Sequence, residues 1–126
     1  MSDCSFCPPL RDVGEVVASN GHCLFVMRDE PVLEGSGLII PKAHRETVFD
    51  LTAAERVATL ELVDRAKAIL DERFRPDGYN VGWNAGSVAG QEVAHCHLHV
   101  IPRFSDEPLA GRGIRYWLKQ ETNRRR

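Results

Sequence analysis

Three imidazoles occupy alternate positions in the run His95-Cys96-His97-Leu98-His99-Val100-Ile101. In an extended chain, residues two apart share a face, so this spacing predicts a row of histidines at ~6.6 Å intervals. Cys96, Leu98 and Val100 then face the other way. An imidazole nitrogen near neutral pH serves as nucleophile, proton donor or metal ligand. Burying three of them unpaired would be costly, so the row points to a site rather than to core packing.

Two further segments carry chemistry. Just upstream of the row, Asn84-Ala85-Gly86-Ser87-Val88-Ala89-Gly90-Gln91 supplies two glycines and uncharged polar groups, the composition of a loop whose backbone N–H groups can approach an oxyanion. Near the N-terminus, Cys4-Ser5-Phe6-Cys7 has the spacing of half a tetrahedral zinc site. Pro8 and Pro9 follow at once, which argues against a redox pair opening a helix. With no second close cysteine pair, the missing ligands are expected from distant histidines, and Cys23 and Cys96 read as small core residues.

Around these groups, Val16-Val17 and Cys23 to Met27 flank Ser19-Asn20-Gly21, a hairpin signal. Gly37 to Ile40 is a third strand ended by Pro41. A helix is predicted over 53–74, capped by Thr52 with Glu55 reaching back, and stopped by Pro76 and Gly78. Val57 or Ala58, Leu62, Ala66, Ile69 and Leu70 recur at helical spacing and should cover a sheet. Tyr79 to Asn84 and about Val93 to Arg103 read as the last strands. Antiparallel neighbours with one long helix make the class α+β.

The chain has 126 residues, enough for one compact unit, and 43% hydrophobic with 27% charged residues is ordinary globular usage. A formal charge of -2 gives no basic surplus for nucleic-acid binding, and Arg124, Arg125 and Arg126 read as a solvated terminus. No apolar run is long enough to cross a bilayer and no leader pattern opens the chain, so a cytoplasmic location with reduced cysteines is expected.

The run from His95 to Ile101 resembles the signature of the histidine triad family, His-φ-His-φ-His-φ-φ with φ apolar. Gly90-Gln91, Pro102-Arg103, Pro41-Lys42-Ala43-His44 and the Pro31 to Gly35 segment extend the resemblance. It implies a small unit over 1–110 with a tail over 111–126, pairing through its long helix and a strand into a homodimer. It implies a hydrolase or transferase acting at the α-phosphate of dinucleoside polyphosphates, nucleoside phosphoramidates or related adenylates. His97 would be the nucleophile, His99 a donor to the phosphate, and Gln91 a group steadying the leaving group or water. Asn84, Gly90 and the amides of Glu92 and Val93 would meet phosphate, Phe6 would line the base pocket, and Asp29 is the candidate for the ribose. A structural zinc would sit on Cys4, Cys7, His44 and His95. The alternatives are a zinc-stapled nucleotide-binding module acting through partners, and a nucleotidylyltransferase. Three positions depart from the family pattern: Ser36 follows Gly35 where an imidazole is frequent, Arg28 stands where a carboxylate or amide often holds the ribose, and Glu92 replaces a small or hydroxyl residue.

Overall fold

The computed structural model describes residues 4–126. Strands β1 (Glu15–Ser19), β2 (Cys23–Met27), β3 (Gly37–Pro41), β4 (Gly78–Trp83) and β5 (Leu98–Arg103) form one antiparallel sheet in the order β1-β2-β3-β5-β4. Helix α1 (Ala53–Phe74) packs on one face of it, and the short helix α2 (Ile114–Leu118) follows the last strand. The α+β class and the element order agree with the sequence pattern. No helix among the described residues is long and apolar enough to cross a membrane.

The first hairpin closes through Asn20, whose Oδ1 accepts from the His22 and Cys23 amides at 3.1 and 2.9 Å. Its Nδ2 donates to the Ala58 carbonyl at 2.8 Å, so the turn is pinned to α1 as well as folded locally. Gly37 opens β3 because nothing larger fits: a Cβ there would lie 2.6 Å from the Phe25 ring.

Helix α1 starts with the expected capping box. Thr52 Oγ1 accepts from the Glu55 amide at 3.1 Å, and Glu55 Oε1 accepts from the Thr52 amide at 2.8 Å. It ends at Arg75 in the left-handed region, ahead of Pro76. Its buried stripe is Glu55, Thr59, Leu62, Ala66 and Leu70. Leu62, Ala66 and Leu70 were anticipated there and join Phe25, Ile39, Leu98 and Val100 in one core cluster. Of the alternatives Val57 and Ala58, Ala58 packs against this cluster, as Ile69 does, and Val57 points outward, 70% exposed. The polar residue Glu55 takes a place on the inner face because Arg45 meets its carboxylate, Nε to Oε1 at 3.0 Å and a terminal nitrogen to Oε2 at 3.1 Å.

The opposite face of the sheet carries a second cluster of Val26, Leu38 and Ile40, covered by Phe6 and Val13 of the N-terminal loop. β5 alternates as expected, with Leu98, Val100 and Pro102 buried and His99 on the other side. The strand begins five residues later than the pattern suggested. Before Leu98 the Cys96 amide donates to the Arg45 carbonyl at 2.6 Å, and the His95 carbonyl accepts from the His97 ring at 2.8 Å, so neither group is left for a sheet ladder. At the far end of β5, the Arg103 guanidinium gathers Glu107, Asn80 and the carbonyls of Leu109 and Arg112, folding the chain after the strand back on the β4 edge.

Arg45 thus links the start of α1 to the backbone at Cys96, and Glu55 holds Arg45. The Arg45 side chain bonded to Glu55 keeps its carboxyl below the usual carboxylate range. Because the folded value is depressed, the stabilisation is present above the ordinary pKa of ~4.3 and is lost as pH falls through the folded value. Glu55→Gln keeps the capping geometry and removes the charge. It should lower unfolding free energy by about 1–2 kcal/mol at neutral pH. In urea denaturation series, the gap to the unsubstituted protein should close towards pH 3; a gap of constant size would show that the ion pair contributes nothing.

Candidate active site and metal centre

The three triad histidines do not share one role. His95 is fully buried and belongs to a cluster with the N-terminal cysteines, whereas His97 and His99 line a cavity of about 390 Å³ on the face of the sheet away from α1. The rings of His97 and His99 meet edge to face, centroids 5.1 Å apart. His97 is only 8% exposed, so the imidazole sits against the core rather than on an open strand edge. The edge of Phe6 packs on it at 5.0 Å.

His97 Nδ1 donates to the His95 carbonyl at 2.8 Å, which leaves the lone pair on Nε2. Burial is the main cause that lowers the His97 pKa, with the Arg28 charge acting in the same direction; the bond to His95 and the charge of Glu92 oppose them. His99 is also shifted down, by burial first and then by His97 and Arg28. Both rings are therefore held towards the neutral form, the form a nitrogen nucleophile requires. His99 Nε2 is buried and has no hydrogen-bond partner among the described residues. A buried orphan nitrogen in the wall of a cavity is the place where a ligand oxygen would be bound.

Asn84, Gly90, Glu92 and Val93 line the same cavity, as does Phe6, so these candidates come together with His97 and His99. Gly86 and Gly90 both adopt positive φ, 91° and 98°, which explains the glycines of this loop. Gln91 is placed differently. Its side-chain oxygen accepts from the Gly86 amide at 2.8 Å, and its nitrogen donates to the carbonyls of Glu46 and Val93 at 2.6 and 2.9 Å. These bonds tie the loop to the segment after His44, and Gln91 is absent from the cavity lining. Asp29 lines a separate depression with Glu30, Glu34 and Arg73. Its neighbour Arg28 lines both that depression and the histidine cavity, and its amide donates to the Ser36 carbonyl at 3.1 Å. Ser5, Arg11, Asp12 and Val13 also line the cavity. No motif marks those four, and only the departure at Arg28 drew attention to that position in the sequence.

Cys4, Cys7, His44 and His95 bring one ligand atom each to within 4.8 Å of one another. Four of the six edges lie between 3.2 Å, Cys7 Sγ to His44 Nδ1, and 3.5 Å, Cys7 Sγ to His95 Nδ1. A tetrahedral ion with thiolate and imidazole bonds of ~2.0–2.3 Å has edges of roughly 3.3–3.8 Å, so the spacing fits. His95 Nε2 lies 2.8 Å from the Pro41 carbonyl. Donation there puts the lone pair on Nδ1, facing the cluster, in the outer-shell arrangement that orients a metal-bound imidazole. The four residues fit a metal ion. The loop they would tie down also carries Ser5, Phe6, Arg11, Asp12 and Val13, so the metal would hold a wall of the cavity as well as the fold.

The HIT domain profile matches residues 12–106, most of the chain. The chain belongs to the HIT family. It is 37% identical to the protein named hit of Bacillus subtilis over 105 residues, covering 81% of this chain and 72% of that one. It is 30% identical to an adenylylsulfatase of Arabidopsis thaliana and to the AP-4-A phosphorylase of Mycobacterium tuberculosis, over 81% and 79% of this chain; those matches span only 53% and 52% of the relatives. Among solved structures, a HIT family protein from Bacillus anthracis superposes with a TM-score of 0.75 at 31% identity, over 83% of this chain and 76% of that one. A zinc-bound histidine triad family protein from Mycobacterium smegmatis superposes with 0.73 at 27% identity, over 88% and 82%.

Within this HIT domain, His44→Ala should abolish tight metal binding and release the 4–13 segment. Native mass spectrometry should show one ion per chain before substitution and none after, and hydrogen exchange over residues 4–13 should quicken by tenfold or more. Unchanged protection would mean that packing of Phe6 and Val13 alone holds the loop.

Proposed function

We propose that this HIT protein is a nucleotide hydrolase or transferase that cleaves at the α-phosphorus through a covalent histidine intermediate. The observation that carries the reading is the pair formed by His97, with its lone pair on Nε2, and His99, with a buried unpartnered Nε2, in one cavity beside a glycine loop. Kinship with an adenylylsulfatase and an AP-4-A phosphorylase supports an adenylate-type substrate.

In the first step the His97 Nε2 lone pair forms a bond to phosphorus, and the bond to the leaving oxygen or nitrogen breaks, its electron pair leaving with that group. In the second step water or another acceptor attacks, the P–N bond breaks, and the pair returns to Nε2. His99, the Asn84 amide and the N–H groups of Glu92 and Val93 would meet the charge on the phosphoryl oxygens. Gln91 acts as a positioning residue, since its amide is spent on holding the loop. The ion on Cys4, Cys7, His44 and His95 is zinc, structural and closed to substrate; a thiolate and imidazole donor set suits it, and a related histidine triad protein is zinc-bound.

The active form is a cytoplasmic homodimer. Strand β4 is a sheet edge and exposes Val81, and α1 exposes Val57 and Leu60, apolar positions that a second copy would cover. Sedimentation at micromolar concentration should give twice the chain mass, and a monomer throughout would remove the dimer.

His97→Ala should lower turnover of adenosine phosphoramidate or diadenosine tetraphosphate by on the order of 10³-fold or more. Acid-quenched mass spectrometry should find a nucleotidyl adduct on His97 of the unsubstituted protein. Nucleotide binding with no turnover of either substrate would instead indicate a binding module.

A further inference from the structure

The charged groups of the cavity are unevenly placed. The groups suited to the attacked phosphoryl come from β5 and from the β4–β5 connection: His97, His99, Asn84 and Gly90. Two arginines also line it, Arg11 of the N-terminal loop and Arg28, which enters from the β2 side. In the sheet, Val26 of β2 pairs with Leu38 of β3, and Leu38 pairs with His99 of β5. Arg28 lies two residues past Val26, on the same face, and its amide bond to Ser36 carries the ladder one step beyond the end of the strand. Its Cα is therefore roughly 10 Å across the sheet and about 7 Å along it from that of His99. The Arg28 side chain spans only part of that distance, so its guanidinium stands apart from the phosphoryl shell while lining the same cavity.

Phe6, which packs on His97, and Val13 form the apolar part of the wall, which suits the nucleoside. Arg28 is lightly engaged by protein: among the described residues its one ion pair is with Glu30 at 3.9 Å, and its side chain is 39% exposed. Asp29, the nearby carboxylate suited to ribose hydroxyls, lines only the other depression, which Arg28 also borders. An acidic side chain accepts hydrogen bonds from ribose hydroxyls, whereas a guanidinium accepts none and instead offers a planar fork of donors that matches a phosphate. Two carboxylates do line the cavity, Asp12 and Glu92, and neither forms an ion pair with Arg28. Arg28 remains available to an incoming anion.

We propose that Arg28 forms a second anion subsite, which selects nucleotides carrying a phosphate on the ribose in addition to the phosphorus attacked by His97. This rests on the nucleotide reading of the site. The substrates would be 2′- or 3′-phosphorylated adenylates, whose two anionic groups are separated by the sugar just as Arg28 is separated from the histidines. Its consequence is specificity: the subsite rewards the extra phosphate without touching the reacting bond.

The test is calorimetric titration of the metal-loaded protein with AMP, ADP, adenosine 2′,5′-bisphosphate and adenosine 3′,5′-bisphosphate, at fixed moderate salt. One of the two bisphosphates should bind at least tenfold more tightly than AMP. In Arg28→Gln that ratio should fall to about one, and in Arg28→Lys, which keeps the charge and loses the fork, it should be intermediate. Thermal melting of the three proteins confirms that they are folded. AMP binding with no gain from either ribose phosphate overturns the proposal and leaves the functional reading standing. A gain for ADP that equals the bisphosphate gain and vanishes in Arg28→Gln also overturns it, by placing the anion on the leaving group. Failure to bind any of the four nucleotides sinks the functional reading itself.

Discussion

The hydrogen bond from His97 Nδ1 to the His95 carbonyl joins the two halves of the site. It selects the tautomer of His97, and it does so through the backbone of a residue whose own ring is committed elsewhere. His95 turns Nε2 to the Pro41 carbonyl and Nδ1 to the cysteines and His44, so its position is determined from three sides. A residue held so firmly can orient its neighbour two positions on. The same bond, together with the Cys96 amide donating to the Arg45 carbonyl, draws this stretch away from the sheet before Leu98.

The parts of this arrangement that were legible in the sequence are those whose cause is local. The helix over 53–74 could be read from its capping box and its breaker, because Thr52 and Glu55 act on amides within one turn. The hairpin could be read from Ser19-Asn20-Gly21 for the same reason. The late start of β5 could not, since it depends on Arg45 taking the Cys96 amide from half the chain away. The burial of Glu55 was equally hidden: a carboxylate on a helix reads as solvated until its guanidinium partner is known. Arg28 and Asp29 show the limit most clearly. Which of two adjacent residues faces the cavity is decided by the parity of the β2 register, and a shift of one residue at the strand end exchanges them. Gln91 belongs to this group too, because its partner Glu46 is distant in the chain and no motif announces the bond.

Electrostatics sets the working state of the imidazoles. Burial favours the neutral form of both His97 and His99, and the charge of Arg28 pushes in the same direction across the cavity. Glu92 opposes this at His97 alone. The two rings therefore sit in fields of different balance although they touch, and a phosphate arriving between them would change both. An anion stabilises the protonated form of whichever ring faces it, so the nitrogen that must donate is recharged by the ligand itself rather than by the resting protein. In the proposed reaction the ring that gains the proton is His99, while His97 keeps the Nε2 lone pair for phosphorus.

The N-terminal loop extends the dependence on His95 to ligand recognition. Cys4 and Cys7 bracket Ser5 and Phe6, and the loop continues through Arg11, Asp12 and Val13 along the cavity. Phe6 packs edge-on against His97 at 5.0 Å and against His95 at 6.2 Å, so it touches both the cavity ring and the ring of the metal cluster. A loop of this kind has no regular backbone ladder to hold it, and its position rests on side-chain packing and on the four ligands. An ion bound there would act on affinity as well as on stability, because releasing the cysteines removes one wall of the cavity at the same time as it frees the chain. The metal need not approach the reacting atoms to matter to the chemistry; it is enough that the wall packed on the nucleophile would hang from it.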